Sequence, residues 1–539
     1  MLARMKLKEA NGLMWLWRRI AALCLCTFLA AAPALAASTK PAGGNKKEKE
    51  KDSAGEFFAN PIVQTFQIEI SEASLKSLAG SPRTDVSGTL RVGTHVFTNV
   101  AIHLKGNGSF RSVDEKPSFA VKFDAYASGQ EFFGLTKLMF NNSVQDPTYL
   151  AELLATGLFR DAGLPAARVT HARVKLNGRD LGLFVAIEGM NKRFLKQHFK
   201  SPKGNLYEGY LQDIDSKLDQ DNGDNTSQAD VRELREACSI PDGGRRWSVV
   251  SQKLDVDKFI SFVAMEILTS HWDGYANHTN NFRLYHDPGA DKMVFITHGL
   301  DWAFRRPNIA LQPPLKSIVG RAVLATDPGR KLFQERIGVL YTNVFRISII
   351  TNRLEQAMRR LRTAGLDAAT LAKIERNAAI LRERVELRSL RVAEQLAGIP
   401  PAPPQFDTEG TARLSGWRDE SDRGEPVMDQ PRKDGRETMH VRAAGGRSRA
   451  SWRTQVYLPR GRYRVEGMAS SEGITGGSAG LRISGGRRDT GVGGTSPWRL
   501  LFHDFEVVDD GLDVEIVCDF YGTTGEAWFD VNSFRLKRL

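Results

Sequence analysis

Between Val256 and Phe304 the sequence leaves little freedom to the fold. Phe259, Phe262, Val263 and Ile267 recur at helical spacing, so Val256 to Ser270 reads as a helix with an apolar face. The stretch HWDGYANHTNNFRLYHDPGADKMVFITHGLDWAF, His271 to Phe304, follows it. It gives a turn at Asp273-Gly274, then the strands FRLYH and KMVFITH on either side of Asp287-Pro288-Gly289. A second aspartate, Asp301, comes just past the end of the second strand. A buried helix, an abrupt exit and a hairpin therefore bring two carboxylates and the pair Asn280-Asn281 into one neighbourhood.

That order of groups suits phosphoryl transfer. One carboxylate orients the acceptor hydroxyl, while an amide oxygen and a second carboxylate hold a metal against the nucleotide phosphates. Asp273, Asn281 and Asp301 can fill these roles. The spacing differs from that of ordinary protein kinases, where the asparagine lies about five residues after the aspartate. Each residue also has a plain reading: a capping aspartate, turn asparagines, a polar strand end.

A second constellation lies upstream. In KGNGSF, Gly106, Asn107, Gly108 and Ser109 sit between two strands, and the glycines let backbone N–H groups approach a phosphate. A simple hairpin turn is the alternative. Lys116 and Lys122 follow, and either can hold the α/β-phosphates; Lys122 is preferred because a strand fixes it. Glu152 can orient that lysine. Glu188, ending the strand LGLFVAI, is placed to receive the nucleotide base at a hinge.

The surroundings are organised around these groups. TFQIEI, GTLRVGT, VFTNVAIHLKG and SFAVKFDAY alternate as strands of an antiparallel sheet. Asp146-Pro147 opens a helix through Asp161, and ARVKLNG and LGLFVAIEG form a hairpin about Asn177-Gly178. Helices fill roughly 331–396. Sheet first and helices later, with the candidate site between, is the layout of a two-lobed kinase-like fold. After the proline-rich IPPAPPQF the composition changes to short strands punctuated by Gly and Ser, with Trp452, Tyr457, Tyr463, Trp498 and Trp528, as in an all-β sandwich.

The N-terminus reads as an export signal: basic residues up to Arg19, an apolar run from Ile20 to Ala32, and Ala34-Leu35-Ala36 for cleavage. An uncleaved anchor is the alternative, although the run is short for a span of about 20 residues. The expected divisions are a signal at 1–36, a Lys/Gly/Ser-rich tether at 37–56, a first domain at 57–396, a linker at 397–406 and a sandwich at 407–539. Of 539 residues, 41% are hydrophobic and 26% charged, which is ordinary for a globular protein. The net charge is +12, and removing the signal's +4 leaves +8, suited to an acidic substrate, an anionic surface or a nucleotide. No basic–aromatic array of the nucleic-acid-binding kind is present, which argues against a nucleic-acid partner. The acidic run Asp213–Asp224 misses the EF-hand pattern, because Gly223 comes one position early. CxxC, HExxH and Walker patterns are absent, and GxSxG occurs only as Gly476–Gly480 in the Gly- and Ser-punctuated C-terminal stretch rather than as a strand-to-helix elbow, so zinc hydrolases, P-loop ATPases and α/β-hydrolases all lose weight. Cys238 and Cys518 read either as buried thiols or as an interdomain disulfide in an exported protein.

Taken in order, IHLKGNGSF, KPSFAVKF, FFGLTKLMFNN, DPTYLAELLA, GLPAARVTHARVKLNGRDLGLFVAIEGMNKRFL, GNLYEG, HWDGYANHTNNFRLY and GLDWAF resemble the spore coat protein H (CotH) kinase family over roughly 60–395. The resemblance implies an α+β, atypical two-lobed kinase-like domain, exported, using ATP and Mg²⁺ or Mn²⁺ to phosphorylate protein hydroxyls. It puts Asp273 at the catalytic aspartate and Asn281 and Asp301 at the metal. One position departs: many members carry two aspartates in a Trp-Asp-Leu-Asp-like strand end, and this chain reads His298-Gly299-Leu300-Asp301. Asp301 or a turned His298 would have to compensate. The C-terminal region, closing on GEAWFDVNSFRLKRL, looks like a jelly-roll-like, galactose-binding or carbohydrate-binding β-sandwich, so cell-surface carbohydrate is an expected partner. Trp528, in an apolar run, reads as core rather than as a sugar platform. Two other readings stay open: a catalytically inactive envelope protein or adhesin, and a metal-dependent hydrolase of surface polymers.

Overall fold

In a computed structural model, residues 53–224, 226–399, 403–424, 426–508 and 511–539 are described. The expected signal, most of the tether and part of the proline-rich linker lie outside these residues. A helix, Ser53–Ala59, begins within the stretch expected as tether and buries Phe57 and Phe58.

Period-two alternation builds the first half. The strands are β1 (Gln64–Glu69), β2 (Val86–Val92), β3 (His95–Lys105), β4 (Ser118–Lys122), β5 (Lys137–Asn141), β6 (Val169–Leu176) and β7 (Arg179–Glu188). Phe66, Ile68, Val100, Ile102, Leu104, Phe119, Val121 and Phe140 form one core cluster. The four strands read from alternation pair antiparallel, as expected, and with β5, β7 and β6 they form a closed barrel in the order β1-β2-β3-β4-β5-β7-β6. The closing pair is parallel, with Phe66 opposite Val174. Asn177 in the β6–β7 turn ties the seam: its side chain accepts from the Ile70 N–H (2.9 Å) and donates to the Ile70 carbonyl (2.8 Å). Closure removes two edges that would otherwise leave backbone groups unpaired.

The helix between β5 and β6 starts later than its sequence suggests. It runs Ala151–Asp161, while Asp146 stays outside and accepts the N–H groups of Thr148 (3.0 Å) and Ala151 (2.9 Å). A second sheet comprises β8 (Leu206–Gly209), β9 (Asp219–Asn222), β10 (Phe282–Asp287) and β11 (Lys292–Thr297), in the order β11-β10-β8-β9. The helix Val256–Leu268 packs on it, with Phe259 and Phe262 ring centroids 4.9 and 5.7 Å from Phe295. Helices Asp327–Asn343, Ile347–Arg362 and Ala368–Leu396 complete this half.

The C-terminal part is an all-β sandwich. Its long strands, Ser448–Leu458, Gly461–Ile483, Thr490–Val507 and Leu512–Gly522, surround a core with Met439, Tyr463, Val465, Phe520 and Phe529. Trp528 is buried, with His440 stacked on it at 5.0 Å and the Lys433 ammonium over the ring. Cys238 and Cys518 are both free and buried in separate cores, so no disulfide joins them. Among the described residues no helix is long and apolar enough to cross a membrane.

Candidate functional site

The barrel contributes a lysine that its sequence neighbours concealed. Along β3, Val100, Ile102 and Leu104 belong to the barrel core, so Lys105 falls on the opposite face. Its ammonium donates to the Asn141 side chain. Burial pulls its pKa down to about 8, against the opposing charges of Glu152, Glu208 and Asp301. Glu152, in the first turn of Ala151–Asp161, is 3% exposed, and its Oε2 has no hydrogen-bond partner among the described residues. Burial and then the Asp301 charge push its carboxyl up to about 7, while Lys105 pulls the other way. Strand, helix and β11 exit thus converge on a lysine and two carboxylates.

Lys122 does not join them. It shares the face of Lys105, but the β3–β4 register sets it opposite Ala101, four residues back along β3 and about 13 Å away at strand rise. There it pairs with Asp85 at 2.8 Å. Lys116 is also engaged elsewhere, donating to the Tyr149 hydroxyl (2.8 Å) and lying over the Tyr149 and Phe184 rings. Both carboxylate oxygens of Glu188 are taken by Arg168, at 2.6 and 2.9 Å, rather than facing an open hinge. Lys105 was missed as a candidate because it reads as the polar end of a strand. Its place directly before Gly106 was the available signal.

The Gly106–Ser109 loop follows Lys105 immediately. Gly106 has φ +96°, and a Cβ there would lie 2.6 Å from Ser109 Oγ, so the turn needs glycine. The Arg83 guanidinium binds the Gly106 carbonyl and Asn107 Oδ1 (3.1 Å). Asn142 donates to the Ser109 carbonyl at 3.0 Å. Gly108 lies next to Gln145.

Buried polar side chains hold the loop that carries Asp273. Glu266, fully buried, accepts the N–H groups of Tyr275 (2.8 Å) and Ala276 (2.9 Å). His271, also fully buried, has Nε2 3.1 Å from the Gly299 carbonyl, coupling this loop to the β11 exit. Its pKa is raised: burial opposes the charged form, but Glu266, Asp273 and Asp301 together outweigh it. Asn281, at φ +53°, donates Nδ2 to the Asp273 carboxylate (2.9 Å) and carbonyl (3.0 Å). Its Oδ1 faces Gly299, where a Cβ would come within 2.6 Å of it. The amide of Asn281 therefore occupies the space that a side chain at position 299 would need. His298 is held well below the usual histidine pKa by burial and by the Arg283 and Lys105 cations.

The donor set fits a hard divalent cation. Asn281 spends its N–H₂ on Asp273, which leaves Oδ1 as an acceptor, and Asp301 supplies a carboxylate. The Asp301 pKa is raised by burial and by Asp146, against Arg305 and His271, so a cation there would relieve uncompensated acidity. Among the described residues no three His, Cys, Asp or Glu side chains cluster as a protein-only cage. Mg²⁺ is commonly held in this way, by one or two protein oxygens and the phosphates of a substrate.

The sandwich reaches this site. Arg305 follows the stretch Asp301–Phe304, lies 4.8 Å over the Trp302 ring and binds the Gln145 carbonyl. Glu420 of the sandwich is 3.5 Å from its guanidinium, and Gln455 donates to its carbonyl at 2.7 Å. Asp146, Asp301 and Arg305 line a narrow cavity of about 30 Å³ together with Arg418, Glu420 and Arg453, room for about one water. Sequence order gave no sign of this contact, because its partners lie more than a hundred residues apart.

Residues 102–391 match the family model described as CotH kinase protein. Among curated proteins, the invasin CotH2 of Rhizopus delemar is 23% identical over 281 residues, covering 47% of this chain and 46% of that protein. The inner spore coat protein H of Bacillus subtilis is 21% identical over 187 residues, 32% of this chain and 50% of that protein. The chain thus spans half or less of the curated relatives it matches. Among solved structures, the Helicobacter pylori proinflammatory kinase CtkA aligns over 54% of this chain and 96% of its own, at 9% identity and a TM-score of 0.27. TmCBM61, solved in complex with β-1,4-galactotriose, aligns over 24% of this chain and 91% of its own, at 20% identity and a TM-score of 0.19.

Proposed function

The chain belongs to the CotH kinase protein family, and on that premise we propose an exported, atypical protein serine/threonine kinase. It transfers the γ-phosphoryl group of ATP to hydroxyl side chains of secreted or cell-envelope proteins, with Mg²⁺ or Mn²⁺. The observation that carries this reading is Glu152, a buried carboxylate with one unpartnered oxygen, coupled to both Lys105 and Asp301. A lysine oriented by a glutamate, facing a metal-binding aspartate, is the arrangement that holds nucleotide phosphates in kinases. In this reading Lys105 takes the role expected of Lys122 or Lys116, and the Gly106–Ser109 backbone lies over the phosphates. Asp301 and Asn281 Oδ1 would hold the metal, which neutralises phosphate charge when bound. Asp273, kept in place by Asn281, orients the acceptor hydroxyl. Such a site works by positioning and charge neutralisation. The sandwich engages cell-surface carbohydrate; Trp498, partly exposed with its indole N–H on Asp434 at 2.9 Å, offers a ring face for it.

The test is γ-phosphate transfer by residues 38–539 with Mg²⁺ or Mn²⁺, beside Asp273→Ala and Asp301→Ala. Labelled protein that disappears in both variants is the expected result. Gly299, where many members carry an aspartate, favours a second reading: a catalytically inactive envelope-binding protein or adhesin. That reading requires neither transfer nor thermal stabilisation by nucleotide.

A further inference from the structure

Beside Asp273 stands a cation that the described residues leave without a partner. The Arg306 guanidinium lies 4.0 Å over the Trp272 ring. Among the described residues it makes no hydrogen bond and no ion pair. The carboxylates whose charge it feels are Asp513, Glu515 and Asp273, and each is engaged elsewhere. Asp513 accepts twice from Asn308, at 3.0 and 2.8 Å. Glu515 is held by Arg453 at 3.0 Å. Asp273 accepts from Asn281 at 2.9 Å.

A second cation shares this neighbourhood. Lys316 is exposed and makes no ion pair among the described residues, and its backbone is pinned to the Ala276 carbonyl at 3.0 Å. His278 feels the charges of Lys316, Asp273 and Arg306, so all three lie within electrostatic reach of its ring. The floor is aromatic: the Trp272 ring lies 5.0 Å from both Trp302 and His278. Trp302 Nε1 is buried without a hydrogen-bond partner among the described residues, an independent sign that a polar acceptor belongs here. Among the described residues, donors are left over beside Asp273, and the carboxylates whose charge Arg306 feels are all engaged elsewhere.

We propose that Arg306 and Lys316, over the Trp272–Trp302 floor, form a subsite for a carboxylate flanking the acceptor hydroxyl, so that the substrate class is an acidic peptide segment. A guanidinium stacked on an indole is held in one orientation and presents a planar fork suited to a carboxylate. The role of the subsite rests on the kinase reading of Asp273, whereas peptide binding by it does not require transfer. The sandwich takes part, because Asp513 and Gln455 fix Asn308 and Arg305 on either side of Arg306.

The test compares two fluorescein-labelled peptides by anisotropy, each with a central serine, flanked by glutamates in one and by glutamines in the other. The purified protein is expected to bind the glutamate peptide about tenfold more tightly, with the preference shrinking as salt rises. Arg306→Gln is expected to remove the preference, and Arg306→Lys to keep part of it. Arg359→Gln, on an exposed side chain of another helix, leaves it intact. Lys316→Glu, also on an exposed side chain, weakens glutamate-peptide binding and keeps the test in force if Arg306→Gln does not fold. Equal binding of the two peptides overturns the proposal. So does an Arg306→Gln variant that raises the KM for ATP and leaves the acceptor preference unchanged, since Arg306 would then be a phosphate clamp. An acidic preference without any phosphate transfer supports the subsite and removes the kinase reading instead.

Discussion

At position 299 two side chains compete for one space. Asn281 fills it, and Gly299 at φ +59° permits this. An aspartate there would be strained by its backbone and would drive Asn281 off Asp273. Gly299→Asp is therefore expected to lower stability by about 1–2 kcal/mol and to reduce transfer rather than restore a lost ligand, as denaturant midpoints and kinase assays would report. Lys105 and Lys122 can be separated in the same way. Lys105→Met is expected to abolish the thermal shift given by ATP, and Lys122→Met, which breaks only the pair with Asp85, to leave most of it. The pKa of about 8 at Lys105 adds a signature. In the proposed kinase reading phosphates favour the ammonium form, so nucleotide binding near pH 8 is expected to take up a proton and to weaken as pH rises beyond it. Calorimetry in buffers of different ionisation heat would measure the uptake; a binding enthalpy independent of buffer would remove Lys105 from the phosphate site.

Among elements, the long helix Ala368–Leu396 does more than cover the core. Its Arg388 is fully buried and donates to the carbonyls of Leu268 (3.2 Å) and Ile267 (2.7 Å) at the C-terminal end of Val256–Leu268. It also donates to Pro307 (3.0 Å) and Ile309 (2.6 Å) in the segment after Asp301. One side chain caps the Leu268 carbonyl, adds a second donor to Ile267, which already accepts from the Ser270 N–H at 3.0 Å, and anchors the segment that carries Arg305 and Arg306. Burial lowers its pKa to about 9, yet the four carbonyls keep the cation in place. Arg388→Leu leaves the Leu268 and Pro307 carbonyls without a donor among the described residues and is expected to cost about 3 kcal/mol; Ile267 keeps the Ser270 N–H (3.0 Å) and Ile309 the Gln395 amide (3.3 Å). A urea midpoint unchanged from the parent protein would contradict that. Helical periodicity in 368–396 was visible in the sequence, but nothing in it marked Arg388 as the polar member of an apolar face.

For the whole molecule, the contact between sandwich and kinase-like part is polar and buried. Glu420 meets Arg305 and Arg453, with Arg384 and Arg418 nearby. Burial alone would raise its pKa, but these guanidinium groups win and hold it down to about 2. A carboxylate with a depressed folded pKa contributes stability that is complete above its unfolded value of 4.5 and is lost as pH falls towards 2. Thermal midpoints taken from pH 5 to pH 2 should therefore fall across that window. Glu420→Gln should start lower and fall less steeply, and a parallel slope in both proteins would rule the contact out as the source. Separate removal of the sandwich is expected to disturb the site as well, since Arg305 and Asn308 would lose partners beside Asp301.

The sequence determined the elements and the order of chemistry along them. Alternation gave six of the seven barrel strands, missing β5, Asn177-Gly178 gave the hairpin, and the apolar run before His271 the helix that delivers Asp273, because these follow from local periodicity and turn preference. The tertiary structure decided which groups meet. The parallel β1–β6 closure pairs strands about a hundred residues apart. Strand register, which no local pattern records, sets Lys122 beside Asp85 and leaves Lys105 to face Glu152 and Asp301. Burial then turns ordinary residues into interacting ones: the Asp301 charge raises the pKa of Glu152, and the Asp146 charge that of Asp301, because folding removes the water that would screen them.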